Sequence, residues 1–95
     1  MFNQVFLVGR IAEDYSKDSS ILTVEIKKNG TDNMFETDSI DVTIKGIISQ
    51  SLSQYCKKGD IIGIKGTVQS IIEDNVKKNL IVANKITLMN SKKED

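Results

Sequence analysis

Val5, Leu7, Gly9 and Ile11 alternate with Phe6, Val8 and Arg10 at the start of the chain. This period of two predicts a strand whose second face is also partly apolar. Polar residues 12–19 predict a loop, and Leu22, Val24 and Ile26 then alternate with Thr23, Glu25 and Lys27 in a second strand. Asn29-Gly30, both tolerant of positive φ, opens a long polar connection through residue 36. A third strand turns Ile40, Val42 and Ile44 inward and Asp41, Thr43 and Lys45 outward, and ends at Gly46. The period then changes. Ile48, Leu52, Tyr55 and Cys56 fall on one face of a short amphipathic helix, which Lys57, Lys58 and Gly59 are expected to stop. A fourth strand is expected to point Ile62, Ile64, Gly66 and Val68 inward and Ile61, Gly63, Lys65, Thr67 and Gln69 outward. Its glycines mark a bulge or bend. Residues 73–78 predict a charged hairpin tip and residues 80–89 a fifth strand.

The order is strand, strand, strand, helix, strand, strand. It predicts an all-β domain, a five-stranded Greek-key barrel of the OB-fold with one short helix between the third and fourth strands. Residues 1–90 are expected to form that single domain and residues 91–95 a short polar tail, since 95 residues bury only one small core. Histidine is absent and Cys56 is the only cysteine. One chain therefore assembles no Ser-His-Asp set, no Cys-His pair and no His/Cys zinc site, and neither a metal nor a cofactor is expected. The adjacent acids Glu13-Asp14 and Glu73-Asp74 read as solvated loop residues, so no enzyme is expected. Thirteen basic and thirteen acidic residues cancel, which excludes coating of an anionic polymer by net charge alone. No apolar run reaches membrane-spanning length, and the expectation is a cytoplasmic protein.

The residues resemble the bacterial single-stranded DNA-binding protein family. NQVFLVGRIAED (residues 3–14) is similar to that family's first strand and acidic turn. TDSIDVTIKG (residues 37–46) carries its Thr-Asp-x-Ile spacing and strand-ending glycine, and SQYCKKGDIIGIKGTVQS (residues 53–70) its helix end and fourth strand. The resemblance implies the OB-fold, sequence-tolerant binding of single-stranded DNA in replication, recombination or repair, association with the nucleoid, and homo-oligomers built around the first strand.

The chain departs from the family where the family places stacking aromatics. Lys45, Ser39 beside Ile40, and Ile72 stand at those positions. Each base stacked on an aromatic ring contributes roughly 1–3 kcal/mol, so the absence of three such rings weakens binding by more than tenfold and leaves mainly electrostatics. Phe35 and Tyr15 are the aromatics that either replace them or fold back on the barrel. The first forty residues are net acidic and the next fifty net basic. The expected nucleic-acid contacts are Lys27, Lys28, Phe35, Lys45, Lys65, Lys77 and Lys78. Phe6 and Val8 on the outer face of the first strand are expected to be covered by a second copy, in a dimer or tetramer. Arg10 beside them is an interface residue or a phosphate contact. The family's long acidic tail has no counterpart after residue 90, so tail-mediated recruitment of replication enzymes is not expected. The alternative reading is an OB-fold adaptor that binds protein through exposed Ile61 and Ile71.

Overall fold

The structure is a computed structural model that describes residues 1–30, 32 and 36–89. Five strands and one helix follow each other as β1 (Val5–Ile11), β2 (Ile21–Lys27), β3 (Thr37–Thr43), α1 (Ile47–Tyr55), β4 (Ile61–Glu73) and β5 (Val76–Leu88). The strands close in the order β1-β2-β3-β5-β4. All neighbouring pairs are antiparallel except β3 and β5, which run parallel and close the barrel through Val42↔Ile81 and Thr43↔Val82. This is the predicted OB-fold barrel, with its helix between β3 and β4.

The core follows from the alternation. Ile11, Leu22, Val24, Val42, Ile44, Ile62 and Ile64 are buried, and Leu52 is the buried residue of α1. Each such aliphatic side chain stabilises the fold by about 1.5–3 kcal/mol. Tyr15 packs against this core, and its hydroxyl lies 2.7 Å from Ser49 Oγ, which ties the first loop to the helix. Of the two fates open to Tyr15, the structure shows the folded-back one.

The helix end differs from the expectation. Tyr55 is 67% exposed, because α1 stops there and Cys56 is already extended (φ −122°, ψ 148°). Lys57, Lys58 and Gly59 lie beyond the last turn and form a separate turn. In it the Lys57 amide donates to Asp60 Oδ2 (2.9 Å), the Lys58 amide to Asp14 Oδ1 (2.7 Å) and the Gly59 amide to the Ile11 carbonyl (2.9 Å). Asp14 is thus the acceptor that fastens this turn to the end of β1, not a merely solvated acid.

The β4–β5 ribbon is longer than the sequence pattern indicated. Both strands have 13 residues, joined by the two-residue turn Asp74-Asn75, whose φ angles of 53° and 65° suit the tight hairpin turns that Asn and Asp tolerate. Among the described residues β1 pairs with β4 no farther than Gly66, and just there the β4–β5 register skips Asn84, a bulge in β5 opposite Lys65 and Gly66. Gly66 is required there, because a Cβ would overlap the Val82 carbonyl. Val82 and Ile81, across from Thr67 and Val68, still pair with β3; beyond them the ribbon leaves the barrel as an arm, and Val68 at its root, predicted inward, is exposed, as are Ile71, Ile72 and Val76. At its root the Asn3 side-chain amide pairs with the Val68 backbone, donating to its carbonyl (2.8 Å) and accepting from its N–H (2.9 Å).

Candidate nucleic-acid interface

Antiparallel pairing of β2 with β3 sets Thr23 opposite Asp41, Glu25 opposite Ser39 and Lys27 opposite Thr37. These are the outward positions, since Leu22, Val24 and Val42 between them are buried. The outer face of β2 and β3 is therefore a polar ladder. Lys27 stands near one end and Lys45, just past β3, beyond the other, with the carboxylates of Glu25 and Asp41 between them. Asp41 is held in place, its Oδ1 accepting from the Thr23 hydroxyl at 2.7 Å. Ser39 and Lys45, which replace aromatics of the resembling family, are both exposed here. Arg10 pairs with Glu25 in the β1–β2 ladder and so extends the row formed by Glu25 and Ser39.

Because β3 and β5 run parallel, the arm rises at the end of the barrel where β3 begins. Lys28 is at that end too, its Nζ 2.6 Å from Asp38 Oδ1, with both side chains about half exposed. On the arm Lys77 lies across from Ile72 and Lys78 across from Ile71. Lys78 Nζ reaches Glu73 Oε1 at 2.8 Å, and this contact holds the Glu73 carboxyl below its usual range. Exposed pairs of this kind contribute at most about 1 kcal/mol, so a phosphate can compete for either lysine. Ile72, at the third departed position, is 77% exposed.

The structure separates one expected contact from the rest. Lys65 lies opposite Phe6 on β1 and opposite Lys85 on β5. Since β4 is separated from β3 by β5 and from β2 by β1, Lys65 faces away from the ladder. It lines a shallow cavity of about 290 Å³ with Phe6, Val8, Lys85 and Met89. Phe6 and Val8 are 68% and 56% exposed. β1 is not a bare edge, however: it pairs with β4 from Val5 to Arg10, whereas among the described residues its ladder with β2 holds only Arg10 and Ile11. Phe35 lies outside the described residues, as do residues 91–95 of the expected tail. Of the adaptor residues, Ile71 is exposed and Ile61 is half-buried.

Sequence reasoning missed a second apolar surface. A groove of about 320 Å³ runs between α1 and β5, lined by Ile47, Ile48, Leu52, Tyr55, Ile86 and Leu88 among others. Cys56 borders it, and partial burial together with the nearby Asp60 carboxylate raises its thiol pKa. Exposed Ile47 was the available signal, because it lies off the Ile48–Leu52 stripe that the helical period assigns to the core.

No protein-family profile matches the chain. It is 29% identical to single-stranded DNA-binding protein B of Bacillus subtilis, over 79% of this chain and 74% of that protein. It is 24% identical to single-stranded DNA-binding protein 1 of Clostridium acetobutylicum, over 97% of both. Among solved structures, it is similar to two crystal forms of the mitochondrial single-stranded DNA-binding protein of S. cerevisiae. The TM-scores are 0.74 and 0.73 at 16% and 17% identity, covering 97% and 99% of this chain and 99% and 100% of those chains. The barrel order, the helix between β3 and β4 and the likeness to these proteins agree with the resemblance read from the residues: the chain is built on the OB-fold and is similar to single-stranded DNA-binding proteins.

Proposed function

We propose that this chain binds single-stranded DNA, without bond chemistry, across the outer face of β2 and β3 and along the β4–β5 arm. The observation that carries this reading is the pairing of an OB-fold barrel with cations at both ends of that face, at its β1 side and on the arm: Lys27 and Lys45 toward the ends, Arg10 in register with Glu25, Lys28 just past β2, Lys77 and Lys78 on the arm. The face carries Ser39 and Lys45 where stacking rings stand in the resembling family, so phosphate contacts supply most of the affinity and no fixed base sequence is required. Work in replication, recombination or repair, in the cytoplasm and at the nucleoid, follows from that reading.

The same proposal includes a homo-oligomer. A second copy packed on the Phe6 and Val8 face would remove those side chains from water, with Lys65 and Lys85 left at its rim. Linked barrels bind one strand with a high effective concentration, which offsets weak contacts in each subunit.

A titration of labelled oligothymidine at low salt tests the reading. Saturable binding is expected, and no binding of oligothymidine or of oligodeoxycytidine at strand concentrations of about 100 μM, where even weak affinities register, would overturn it. The apolar groove between α1 and β5 would then favour the alternative, a barrel that docks protein.

A further inference from the structure

The middle of the β2–β3 face is acidic, which is the reverse of what a purely phosphate-binding surface needs. Asp41 is the better defined of its two carboxylates. Thr23, directly across the ladder, donates to Oδ1 at 2.7 Å. That bond holds the carboxylate through Oδ1 and, because Asp41 is exposed, leaves Oδ2 and the remaining lone pairs able to accept from a ligand. Glu25 sits on the same face, one outward position along β2 and level with Arg10. Arg10 offsets Glu25 at that edge, but the residue in register with Asp41 is the neutral Thr23, so phosphates are repelled at Asp41 and attracted to the lysines on either side of it. A strand held by Lys27 at one end and Lys45 at the other therefore brings its bases, not its phosphodiester groups, over Asp41.

A carboxylate is an acceptor only, so it discriminates among bases by what they donate. Cytosine offers the N4 amino group, adenine the N6 amino group, and guanine N1–H and N2–H in parallel, which fit both oxygens of one carboxylate. Thymine has no amino group, and its one edge donor, N3–H, is flanked by two carbonyl oxygens that face the carboxylate repulsively. Resting on the proposed binding of single-stranded DNA, we infer that Asp41, positioned by Thr23, gives this chain a preference for bases that carry an exocyclic amino group, with thymine the poorest. Among the described residues, no ring on this face offers the base-independent stacking that would mask the difference.

The test compares oligodeoxycytidine, oligodeoxythymidine, and oligodeoxythymidine with isolated guanines at every fourth position. Strands of about 20 nucleotides exceed the roughly 4–16 that one OB-fold covers, and fluorescence anisotropy is read at neutral pH and fixed low salt. The cytosine and guanine-bearing strands are expected to bind at least about fivefold more tightly than thymine, equivalent to about 1 kcal/mol. In Asp41→Ala that ratio should fall to near one while thymine binding rises, because a repulsive charge has gone. Thr23→Val keeps the charge and removes the tether. Its ratio should fall part of the way with the melting temperature little changed, a pattern that loss of fold does not produce. Tight binding of all three strands with no preference, or a preference that survives Asp41→Ala, would overturn this inference and leave the binding reading standing. Failure of every strand to bind would overturn the binding reading itself.

Discussion

Gly66 is the last β4 residue paired with β1, and the β5 backbone at Val82 passes directly against it, so replacing it tests how closely β4 and β5 pack at that point. In Gly66→Ala the added methyl runs into the Val82 carbonyl and crowds the Val82 carbonyl carbon and Ala83 Cα, at 3.1 and 3.3 Å. All three are backbone atoms of the paired strand and cannot swing aside as a side chain would. Overpacking of this kind costs about 1–3 kcal/mol. Restricting the unfolded chain offsets roughly 0.4–1 kcal/mol of that, which leaves a net destabilisation of about 1–2 kcal/mol. For a domain of this size each kcal/mol shifts the melting temperature by about 4–8 °C, so a fall of roughly 5–15 °C is expected. Gly63→Ala, three residues earlier on the same strand, is the internal control. Its methyl would meet only Met89, with Sδ at 3.2 Å, the end of a flexible and half-exposed side chain, and its effect should stay within about 0.5 kcal/mol. Thermal unfolding followed by far-ultraviolet circular dichroism measures both variants. Equal melting temperatures for Gly66→Ala and the parent, or a larger fall in Gly63→Ala, would refute a backbone clash at Gly66.

Two further outcomes follow from the surfaces. Phe6→Lys adds a charge to the apolar outer face of β1 beside Lys65 and Lys85, and sedimentation velocity should show a smaller species than the parent; an unchanged sedimentation coefficient would remove the oligomer from the proposal. The raised pKa of Cys56, caused first by burial and then by Asp60, keeps the folded thiol protonated at pH values where an unfolded cysteine ionises. Alkylation by iodoacetamide at mildly alkaline pH should be slower in the folded protein than in urea, and any stability from this linkage is present below the unfolded thiol's pKa and disappears as pH rises through the folded one.

The barrel was legible because its strands keep a strict period of two: Leu22, Val24 and Val42 alternate with polar neighbours, and all three are buried where that alternation puts them. The arm was not legible in the same way. Val68 continues the inward series of Ile62, Ile64 and Gly66, but it lies past the last β1–β4 pair, Val5 with Gly66, where the barrel no longer encloses it, and strand pairing is a tertiary feature. Tyr55 was misplaced because a helical period says nothing about where a helix stops, and α1 ends at that residue before the face it shares with Leu52 can be covered. Among the candidate contacts, the residue types suit a phosphate surface, but periodicity cannot tell which side of a closed barrel an outward position faces. Lys45 and Lys65 are both outward, yet strand order puts β5 between β3 and β4 and sends Lys65 to the side of Phe6. The tether from Thr23 to Asp41 is likewise invisible in the chain, since it joins residues on two strands through their register.

The central claim is that a single strand of DNA lies over the β2–β3 face and the arm, held by lysines at named positions. Its most direct measurement is the salt dependence of oligodeoxycytidine affinity in the parent and in Lys45→Ala, Lys77→Ala and Lys65→Ala. Removing one lysine–phosphate interaction lowers the slope of log affinity against log salt by about 0.7 for a single strand. That decrement is expected in Lys45→Ala and in Lys77→Ala, with an unchanged slope in Lys65→Ala. A slope that falls in Lys65→Ala and stays fixed in the other two would place the strand on the opposite side of the barrel and contradict the claim.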